Sequence, residues 1–370
     1  MMTNQITVGV FFGGRSGEHE VSLLSAHSII SNLNPAKYRL IEVGITKDGK
    51  WLSGEGVLES FQKGKTAHLQ PVAMFPQAGD HNLYRLNDSG YQPYAHLDVV
   101  FPVLHGTFGE DGTLQGFLEL IGIAYVGAGV LASAVGMDKA LFKTVLRSFD
   151  LPVLDYQLFT RRQVEENLAQ VIQTIESTLP YPIFVKPANL GSSVGITKCR
   201  NRSDLGEGLN EAARYDRRII VEQGLEKPRE IEVSVLGNDQ PVASLPGEVV
   251  PGEDFYTYSA KYLSDNSELL IPAPLSDGQT QEIQRIAVQT YKAIDCAGMA
   301  RVDFLLDRQT ERIYVSEVNT IPGFTRISMY PKLWEASGLP YGELLDRLIE
   351  LAFERKADRD RTEFGFRRKE

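Results

Sequence analysis

Two short apolar segments near the C-terminal end carry most of the information about fold and chemistry: ARVDFLL at residues 300–306 and IYVSE at residues 313–317, the latter followed by Val318 and Asn319. Each is rich in β-branched and aromatic residues and predicts a buried strand. Side chains two residues apart lie on the same face of a strand. If the two strands are neighbours, one face of the sheet carries Arg301, Asp303, Glu317 and Asn319.

The two carboxylates and the amide oxygen on this face form a candidate magnesium site. All three are hard oxygen donors, and such sites are usually completed by nucleotide phosphates. The alternative is a solvated strand face with an ion pair, which the apolar character of both strands disfavours. The segment PGFT at residues 322–325 follows. It is either an ordinary turn or a place where the N–H of Gly323 meets an oxyanion.

Composition limits the class of protein. The chain has 370 residues, 42% hydrophobic and 23% charged, which indicates a globular protein of two or three domains. The net charge of −10 gives no general attraction to nucleic acid or anionic lipid. Cys199 and Cys296 are expected to be free thiols. No apolar run approaches the roughly 20 residues that span a bilayer, and the apolar start lacks signal-peptide features. We therefore expect a cytoplasmic protein.

Strand-like segments alternate with helix-like periodicity, which predicts an α/β fold. Residues 54–92 show weak periodicity and predict loops and short strands. The other expected strands are Ile6–Phe12, Tyr38–Thr46, Leu97–Leu104, Ala124–Val126, Pro182–Lys186, Ile219–Glu222, Ile231–Leu236 and Val242–Val250. The expected helices are Glu20–Leu33, a short one through Gly116–Leu120, Ala132–Phe149, Arg161–Leu179, Ser203–Tyr215 with Ser203 as its cap, Asp277–Ile294 and Tyr341–Glu354.

A glycine-rich segment, FVKPANLGSSVG at residues 184–195, follows a predicted strand. Lys186 would supply charge and the loop backbone would supply donors to a phosphate group; the alternative is a flexible hairpin. The P-loop order of residues is absent. Residues 251–265 form a polar, aromatic loop that is either a surface loop or a lid over a reactive intermediate, with Gly252 as a possible hinge.

Two further loops carry polar residues. GGRSGEHE at residues 13–20 follows a strand and opens a helix, a geometry that binds anions, although the dinucleotide fingerprint is not met. The acid Glu18 either caps that helix or holds an ammonium group. His105 begins HGTFGEDG at residues 105–112, and a histidine in this position is, by itself, more often structural.

Eight motifs occur in order between residues 13 and 334, and together they resemble the D-alanine–D-alanine ligases of the ATP-grasp superfamily. One motif alone is weak, whereas the ordered set is highly specific. The motifs are GGRSGEHEVSLLSA from Gly13, HGTFGEDGTLQG from His105, MDK from Met137, FVKPANLGSSVGI from Phe184, YSAKYL from Tyr258, RVDFLL from Arg301, EVNTIPGFT from Glu317 and SMYPKLW from Ser328.

The resemblance implies ATP-dependent joining of two D-alanine molecules through an acyl phosphate, for peptidoglycan synthesis. It implies an α/β (α+β) ATP-grasp fold of three domains with ATP between the last two. It also implies a homodimer formed through the N-terminal domain, without nucleic acid or membrane partners. The implied divisions are an N-terminal domain over 1–125, a central ATP-grasp domain over 126–217 and a C-terminal metal domain over 218–355. Residues 356–370 form a charged tail that their composition predicts to be frayed.

The resemblance also implies the roles of individual residues. The implied ATP-binding residues are Lys139, Lys186, Ser193, Glu222, Leu225, Glu230 and Lys261. The implied ligands of two Mg²⁺ ions, for which Mn²⁺ is expected to substitute, are Asp303, Glu317 and Asn319. The implied substrate and catalytic residues are Glu18 for the first ammonium group, Ser192 and Tyr262 as its hydrogen-bonding partners, His105 near the first substrate, Arg301 and the Gly323 N–H for the oxyanion, and Ser328 and Met329 for the second carboxylate.

One position departs from the family pattern, and several alternatives stay open. Arg326 stands where a small polar residue is often found, which leaves the contacts to the second substrate less defined. A D-alanine–D-serine or D-alanine–D-lactate ligase, or a non-catalytic nucleotide-binding protein of the same fold, would share most motifs; a dehydrogenase is a distant alternative. In the family, tyrosine at position 262 goes with an amine as second substrate, and phenylalanine goes with D-lactate.

Overall fold

The computed structural model describes residues 5–191, 194–250, 268–363 and 365, which form three β-sheets with helices packed against them. The alternation of strands and helices expected from the sequence is confirmed. The helices of the described residues are α1 (His19–Asn32), α2 (Val57–Gln62), α3 (Thr113–Ile121), α4 (Val130–Met137), α5 (Lys139–Ser148), α6 (Arg161–Glu176), α7 (Arg202–Tyr215), α8 (Asp277–Ala293), α9 (Met329–Ala336) and α10 (Tyr341–Arg359).

The first sheet is built from the N-terminal part of the chain. Its strands are β1 (Ile6–Gly13), β2 (Tyr38–Ile45), β3 (Trp51–Ser53), β4 (Gln70–Ala73), β5 (Asn82–Asn87), β6 (Gly90–His96), β7 (Val99–Val103) and β8 (Ala124–Tyr125). They lie in the order β6-β5-β4-β3-β2-β1-β7-β8. Strand β1 pairs in parallel with β2 and β7, so its carboxyl end and the loop after it open on one edge. The weakly periodic residues 54–92 contain the short strands β4 and β5, the start of β6, and helix α2, which was not expected.

The C-terminal helix α10 completes the core of this first sheet. Its Leu344 and Leu348 pack with Val8 of β1 and Val99 of β7 in one buried cluster. The helix extends to Arg359, beyond the predicted end at Glu354, so the expected frayed tail is wrong for its first residues. The domain boundaries drawn from the resemblance stay a prediction.

The second sheet is antiparallel and carries the glycine-rich segment. Its strands are β9 (Tyr156–Thr160), β10 (Ile183–Pro187), β11 (Thr197–Cys199) and β12 (Arg218–Gln223), in the order β11-β10-β12-β9. Helices α6 and α7 cover one face through a buried apolar cluster. The cap of α7 is Asn201, whose side chain accepts from the N–H groups of Ser203 and Asp204; the prediction of Ser203 as the cap is wrong.

The single helix expected over Ala132–Phe149 is two helices, α4 and α5. Asp138 lies between them in an extended conformation, with ψ of 99°, and its side chain accepts a hydrogen bond from Leu141 N. An aspartate in this position satisfies an otherwise unpaired N–H at the start of a helix. The break places Lys139 at the beginning of α5.

The third sheet contains β13 (Arg229–Gly237), β14 (Val242–Ala243), β15 (Gly247–Val250), β16 (Glu268–Leu270), β17 (Gly298–Leu306) and β18 (Ile313–Asn319). Its main order is β16-β15-β13-β17-β18, with β14 beside β13. The single strand expected over Val242–Val250 is therefore two strands. Pro246 lies between them and has no N–H to donate to a sheet.

Cys199 and Cys296 are free and buried, as predicted. Within the described ranges, no helix has both the length and the apolar character that crossing a membrane requires.

Candidate active site

A cavity of about 590 Å³ lies between the second and third sheets. It collects most of the polar residues singled out in the sequence, although they come from distant parts of the chain. The predicted site residues among its walls are Glu18, Lys139, Lys186, Glu222, Leu225, Glu230, Arg301, Asp303, Glu317 and Asn319.

Strands β17 and β18 are antiparallel neighbours, as expected, and their polar side chains share one face. Arg301 lies opposite Asn319, and Asp303 lies opposite Glu317. Arg301 donates to both oxygens of Asp303, from Nε to Oδ1 at 2.7 Å and from Nη2 to Oδ2 at 2.6 Å. Asn319 Nδ2 donates to Asp303 Oδ2 at 3.0 Å. Arg301, Asp303 and Asn319 are therefore hydrogen-bonded into one group, and Glu317 lies beside them on the same face.

A third carboxylate, Glu232, joins this group from β13. It lies opposite Asp303 in the β13–β17 register, and its Oε2 is 2.9 Å from Arg301 Nε. Glu232 and Asp303 thus flank one guanidinium group, and both carboxylates are mostly shielded from water. The sequence carried a signal for Glu232, because it alternates with Glu230 in an otherwise apolar strand, but sequence reasoning missed it.

The donor set on this face suits a hard divalent cation. Asp303, Glu317 and Asn319 offer oxygen atoms on adjacent strands beside a cavity large enough for a nucleotide. Among the described residues, no group of three or more His, Cys, Asp or Glu side chains is placed to hold a metal ion. A site with two carboxylates and one amide leaves further positions to phosphate oxygens and water, which is typical of Mg²⁺.

Lysine side chains also line this cavity. Lys186 on β10 is 2.7 Å from Glu222 Oε2 on β12. Lys139 at the start of α5 donates to the Leu190 carbonyl at 2.8 Å, and its Nζ is 4.0 Å from Glu317. The two lysines and the Asp303–Glu317 face therefore line the same cavity. This distribution of charge suits a triphosphate bound with cations.

Glu222 is buried between two lysines, one of which sequence reasoning missed. Lys143 on α5 is 2.5 Å from Glu222 Oε1. Burial by itself would raise the pKa of Glu222, but the charges of Lys143 and Lys186 outweigh it and lower the pKa to about 2. Burial also tends to lower the pKa of Lys186, but the Glu222 charge dominates and raises it. Burial lowers the pKa of Lys143. Glu222 is therefore a carboxylate at neutral pH.

Glu18 stands at the N-cap position, immediately before α1, but its side chain makes no capping hydrogen bond. Its carboxylate instead packs against two glycines: a Cβ on Gly106 would lie 2.6 Å from Glu18 Oε2, and one on Gly191 would lie 2.9 Å from it. Both distances are too short for a real side chain, so the glycines make room for the acid. Of the two interpretations drawn from the sequence, this geometry favours a carboxylate that faces the cavity.

His105 is buried and connects the first sheet to the loop after β18. Its Nδ1 lies 3.0 Å from the Ile321 carbonyl, and its Nε2 lies 3.0 Å from Ser25 Oγ. Burial lowers the pKa of His105, which favours the neutral ring. Since a carbonyl only accepts, Nδ1 carries the proton and Nε2 accepts from Ser25. His105 does not line the cavity of about 590 Å³. Its side chain holds two loops together.

Glu110, in the segment HGTFGEDG, lines the cavity of about 590 Å³. Gly106 N donates to its Oε2 at 2.6 Å and Ile321 N donates to its Oε1 at 3.3 Å. Burial and the neighbouring Glu18 raise the pKa of Glu110 to about 8. A carboxyl group that joins a loop of the first sheet to the loop after β18 therefore titrates near neutral pH.

Gly323, Ser328 and Met329 lie in the segment that leads from β18 into α9. A Cβ on Gly323 would lie 2.7 Å from Ser328 Oγ, so these two residues are in close contact. Ser328 precedes the first turn of α9, and the start of a helix favours a carboxylate. The Met329 side chain is buried against Val249 and Leu333, which leaves its backbone as the part able to meet a ligand.

Several predicted elements lie outside the described residues. They are Ser192, Ser193, Lys261, Tyr262 and the whole of the expected lid at 251–265. The roles assigned to them stay predictions.

Two family models match this chain. The first, described as the D-ala D-ala ligase N-terminus, matches residues 7–128, and the second, described as the D-ala D-ala ligase C-terminus, matches residues 145–350. The D-alanine–D-alanine ligase of Natranaerobius thermophilus is 48% identical, covering 98% of this chain and 99% of the relative. That of Heliobacterium modesticaldum is 50% identical, covering 96% and 97%.

Solved structures agree with the sequence relatives. The D-alanine–D-alanine ligase of Coxiella burnetii is 38% identical with a TM-score of 0.81, and the match covers 97% of both chains. The VanG D-Ala:D-Ser ligase of Enterococcus faecalis is 35% identical with a TM-score of 0.84, covering 94% of this chain and 100% of that one. The fold predicted from the ordered motifs is confirmed. This chain belongs to the D-alanine–D-alanine ligase family, and its architecture is the ATP-grasp fold.

Proposed function

We propose that this protein joins two D-alanine molecules to D-alanyl-D-alanine with consumption of ATP, and so supplies a precursor for peptidoglycan. The observation that carries the proposal is the set of charged side chains that line one cavity. Lys139 and Lys186 are suited to phosphate groups, and Arg301 lies with the carboxylates of Asp303 and Glu317. Relatives about half identical over nearly the whole chain carry the name of this activity.

The first chemical step activates a carboxylate. A carboxylate anion is a poor electrophile, so its oxygen attacks the γ-phosphorus of ATP, ADP leaves, and an acyl phosphate forms. Both reactants are negative, and Lys186 and Lys139 reduce the repulsion between them. Glu18, packed between two glycines at the cavity, is suited to hold the ammonium group of this first D-alanine.

The second step forms the peptide bond. The amino group of the second D-alanine, after losing a proton, attacks the acyl carbon and gives a tetrahedral oxyanion. Arg301 and the Gly323 N–H stabilise this oxyanion, and one such donor is typically worth about 3–4 kcal/mol. The intermediate then collapses to the dipeptide and phosphate. The start of α9 at Ser328 and Met329 binds the second carboxylate.

Two Mg²⁺ ions are part of the proposal, with Mn²⁺ as a substitute. Asp303, Glu317 and Asn319 are the residues that would hold them. When bound, the ions neutralise phosphate oxygens and so favour attack by an anion. Arg301 would keep Glu232 as a partner when Asp303 turns to a metal.

The expected lid at 251–265, with Tyr262 and Lys261, would exclude the water that hydrolyses an acyl phosphate. Ser192 and Tyr262 would bind the first substrate with Glu18, while Ser193 and Lys261 would contact ATP with Glu222, Leu225 and Glu230.

We further propose a homodimer formed through the first sheet, without nucleic acid or membrane partners. We also propose that the protein is located in the cytoplasm, where ATP is available.

A second candidate is D-alanine–D-serine ligation, which the similarity to the VanG D-Ala:D-Ser ligase of Enterococcus faecalis supports. ADP release measured with D-alanine alone, D-alanine plus D-serine, D-alanine plus D-lactate, L-alanine and no amino acid separates the candidates. Full turnover with D-alanine alone and formation of the dipeptide are expected. Turnover that requires D-serine would replace our proposal with the second candidate, and no amino-acid dependence would refute both.

A further inference from the structure

Lys143 is a charged side chain buried behind the cavity wall. It lies on α5, is only 1% exposed, and is absent from the lining of the cavity. Its ammonium group is 2.5 Å from Glu222 Oε1 and donates to the Val315 carbonyl of β18 at 3.4 Å. Burying a lysine is costly unless its charge is paired, and the contact with Glu222 offsets this cost.

Glu222 is shared between Lys143 and a second lysine that does face the cavity. Lys186 contacts the other carboxylate oxygen, Oε2, at 2.7 Å and lines the cavity. Two ammonium groups and one carboxylate leave a net charge of +1. Because Lys143 is behind the wall, this surplus charge is presented to the cavity through Lys186.

We propose that Lys143 is a positioning residue that neutralises Glu222 and thereby leaves the Lys186 charge available to the phosphates of a bound nucleotide. Without Lys143, Lys186 alone would balance Glu222, and the group would present no net charge to the cavity. The inference rests on the proposed use of ATP and adds to it a residue that touches neither substrate nor metal.

The proposal predicts a dependence on the number of phosphates. Removal of one positive charge weakens the binding of a ligand in proportion to the negative charge that the ligand places near Lys186. The Lys143→Met variant keeps the length and apolar stem of the side chain and removes its charge. We expect roughly a tenfold loss of affinity for ATP, a smaller loss for ADP, and at most about a twofold loss for AMP.

The experiment is calorimetric titration of the full-length protein with ATP, ADP and AMP at one fixed magnesium concentration. Arg218→Met is the matched control. Arg218 on β12 is ion-paired with Asp138 at the start of α5, so this bridge joins the same strand and helix outside the cavity. In the control, any change in affinity is expected to be the same for all three nucleotides.

An equal loss of affinity for ATP, ADP and AMP in Lys143→Met would overturn the proposal, because a merely structural lysine acts on all ligands alike. If that variant does not fold, Glu222→Gln is compared with the double variant Lys143→Met/Glu222→Gln. The side chains at positions 143, 186 and 222 together carry +2 in the single variant and +1 in the double variant. The ATP-to-AMP affinity ratio is expected to drop by a similar factor, and an unchanged ratio refutes the idea. Absence of ATP binding to the wild-type protein would instead refute the proposed function.

Discussion

Asp303 lies directly opposite Glu317 on the antiparallel strands β17 and β18, beside the cavity that also holds Lys186. The two carboxylates belong to residues fourteen positions apart, yet the register puts both on one face. Arg301 binds both oxygens of Asp303, so this acid already carries a counter-charge. A divalent cation held by this pair, as proposed above, would compete with the guanidinium group for the Asp303 carboxylate.

The first prediction concerns this pair. Asp303→Asn is expected to reduce ligation by about 100-fold or more and to raise the magnesium concentration needed for half-maximal rate, because a negatively charged oxygen donor is lost. ADP release measured over a magnesium titration tests this. Asp307→Asn, at the turn that follows β17, is the matched control and should change the rate less than about threefold. A normal magnesium dependence in Asp303→Asn would contradict the assigned metal site.

The second prediction concerns Glu232, which holds Arg301 from the neighbouring strand. Glu232→Gln keeps the shape but loses the charge that fixes the guanidinium. We expect kcat to fall roughly tenfold with little change in the KM for ATP, since the role proposed for Arg301 is to stabilise the oxyanion and not to bind the nucleotide. Steady-state kinetics with varied ATP and D-alanine measure both constants. An increase in the KM for ATP with kcat unchanged would assign Glu232 to nucleotide binding instead.

The third prediction concerns Gly323. An alanine there would bring Cβ within 2.7 Å of Ser328 Oγ, so the Ser328 hydroxyl, which accepts from Thr325 N, must shift. Gly323→Ala is expected to raise the KM for the second D-alanine and to lower kcat, each by roughly tenfold. Gly278→Ala in α8, where an added Cβ meets nothing within 4 Å, is the control. It should keep full activity and gain up to about 1 kcal/mol in unfolding free energy. Equal kinetics for the two variants would remove Gly323 from the site.

The fourth prediction concerns pH. Burial and Glu18 raise the pKa of Glu110 to about 8, above the value near 4.5 expected for an ordinary glutamate. Between these two values the folded state binds more protons than the unfolded state, so this group's contribution to stability falls as pH rises. Glu110→Gln cannot ionise, and the unfolding free energy of the wild type relative to this variant should decrease from pH 5 to pH 8. Urea unfolding at several pH values measures the difference; a constant difference would mean that Glu110 does not titrate in this range.

The fifth prediction rests on the family resemblance at Tyr262. Tyr262→Phe should raise ester formation from D-lactate relative to dipeptide formation from D-alanine at moderate pH. Product analysis by mass spectrometry with both second substrates present gives the ratio. An unchanged ratio would show that the residue at this position does not select the second substrate.

Local sequence patterns were sufficient for the secondary structure of the apolar segments. The strand at Ile6–Gly13 and those at Arg229–Gly237 and Gly298–Leu306 agree with prediction within two residues, because continuous burial gives an unambiguous apolar run. The break at Asp138 was missed, since both helices it separates continue the same apolar periodicity. The short strands between residues 70 and 96 are held by pairing with neighbours and have little signal of their own.

The sequence by itself determined the order of the motifs, the family they belong to, and which faces of β17 and β18 are polar. These features depend on residue type and on the two-residue period of a strand, both of which are local. Only the tertiary structure decided that Glu232 lies beside Arg301 and that Glu222 is shared by Lys143 and Lys186. Such contacts join separate strands and helices, and sheet order and helix packing, which no local period encodes, set the distances between their charges.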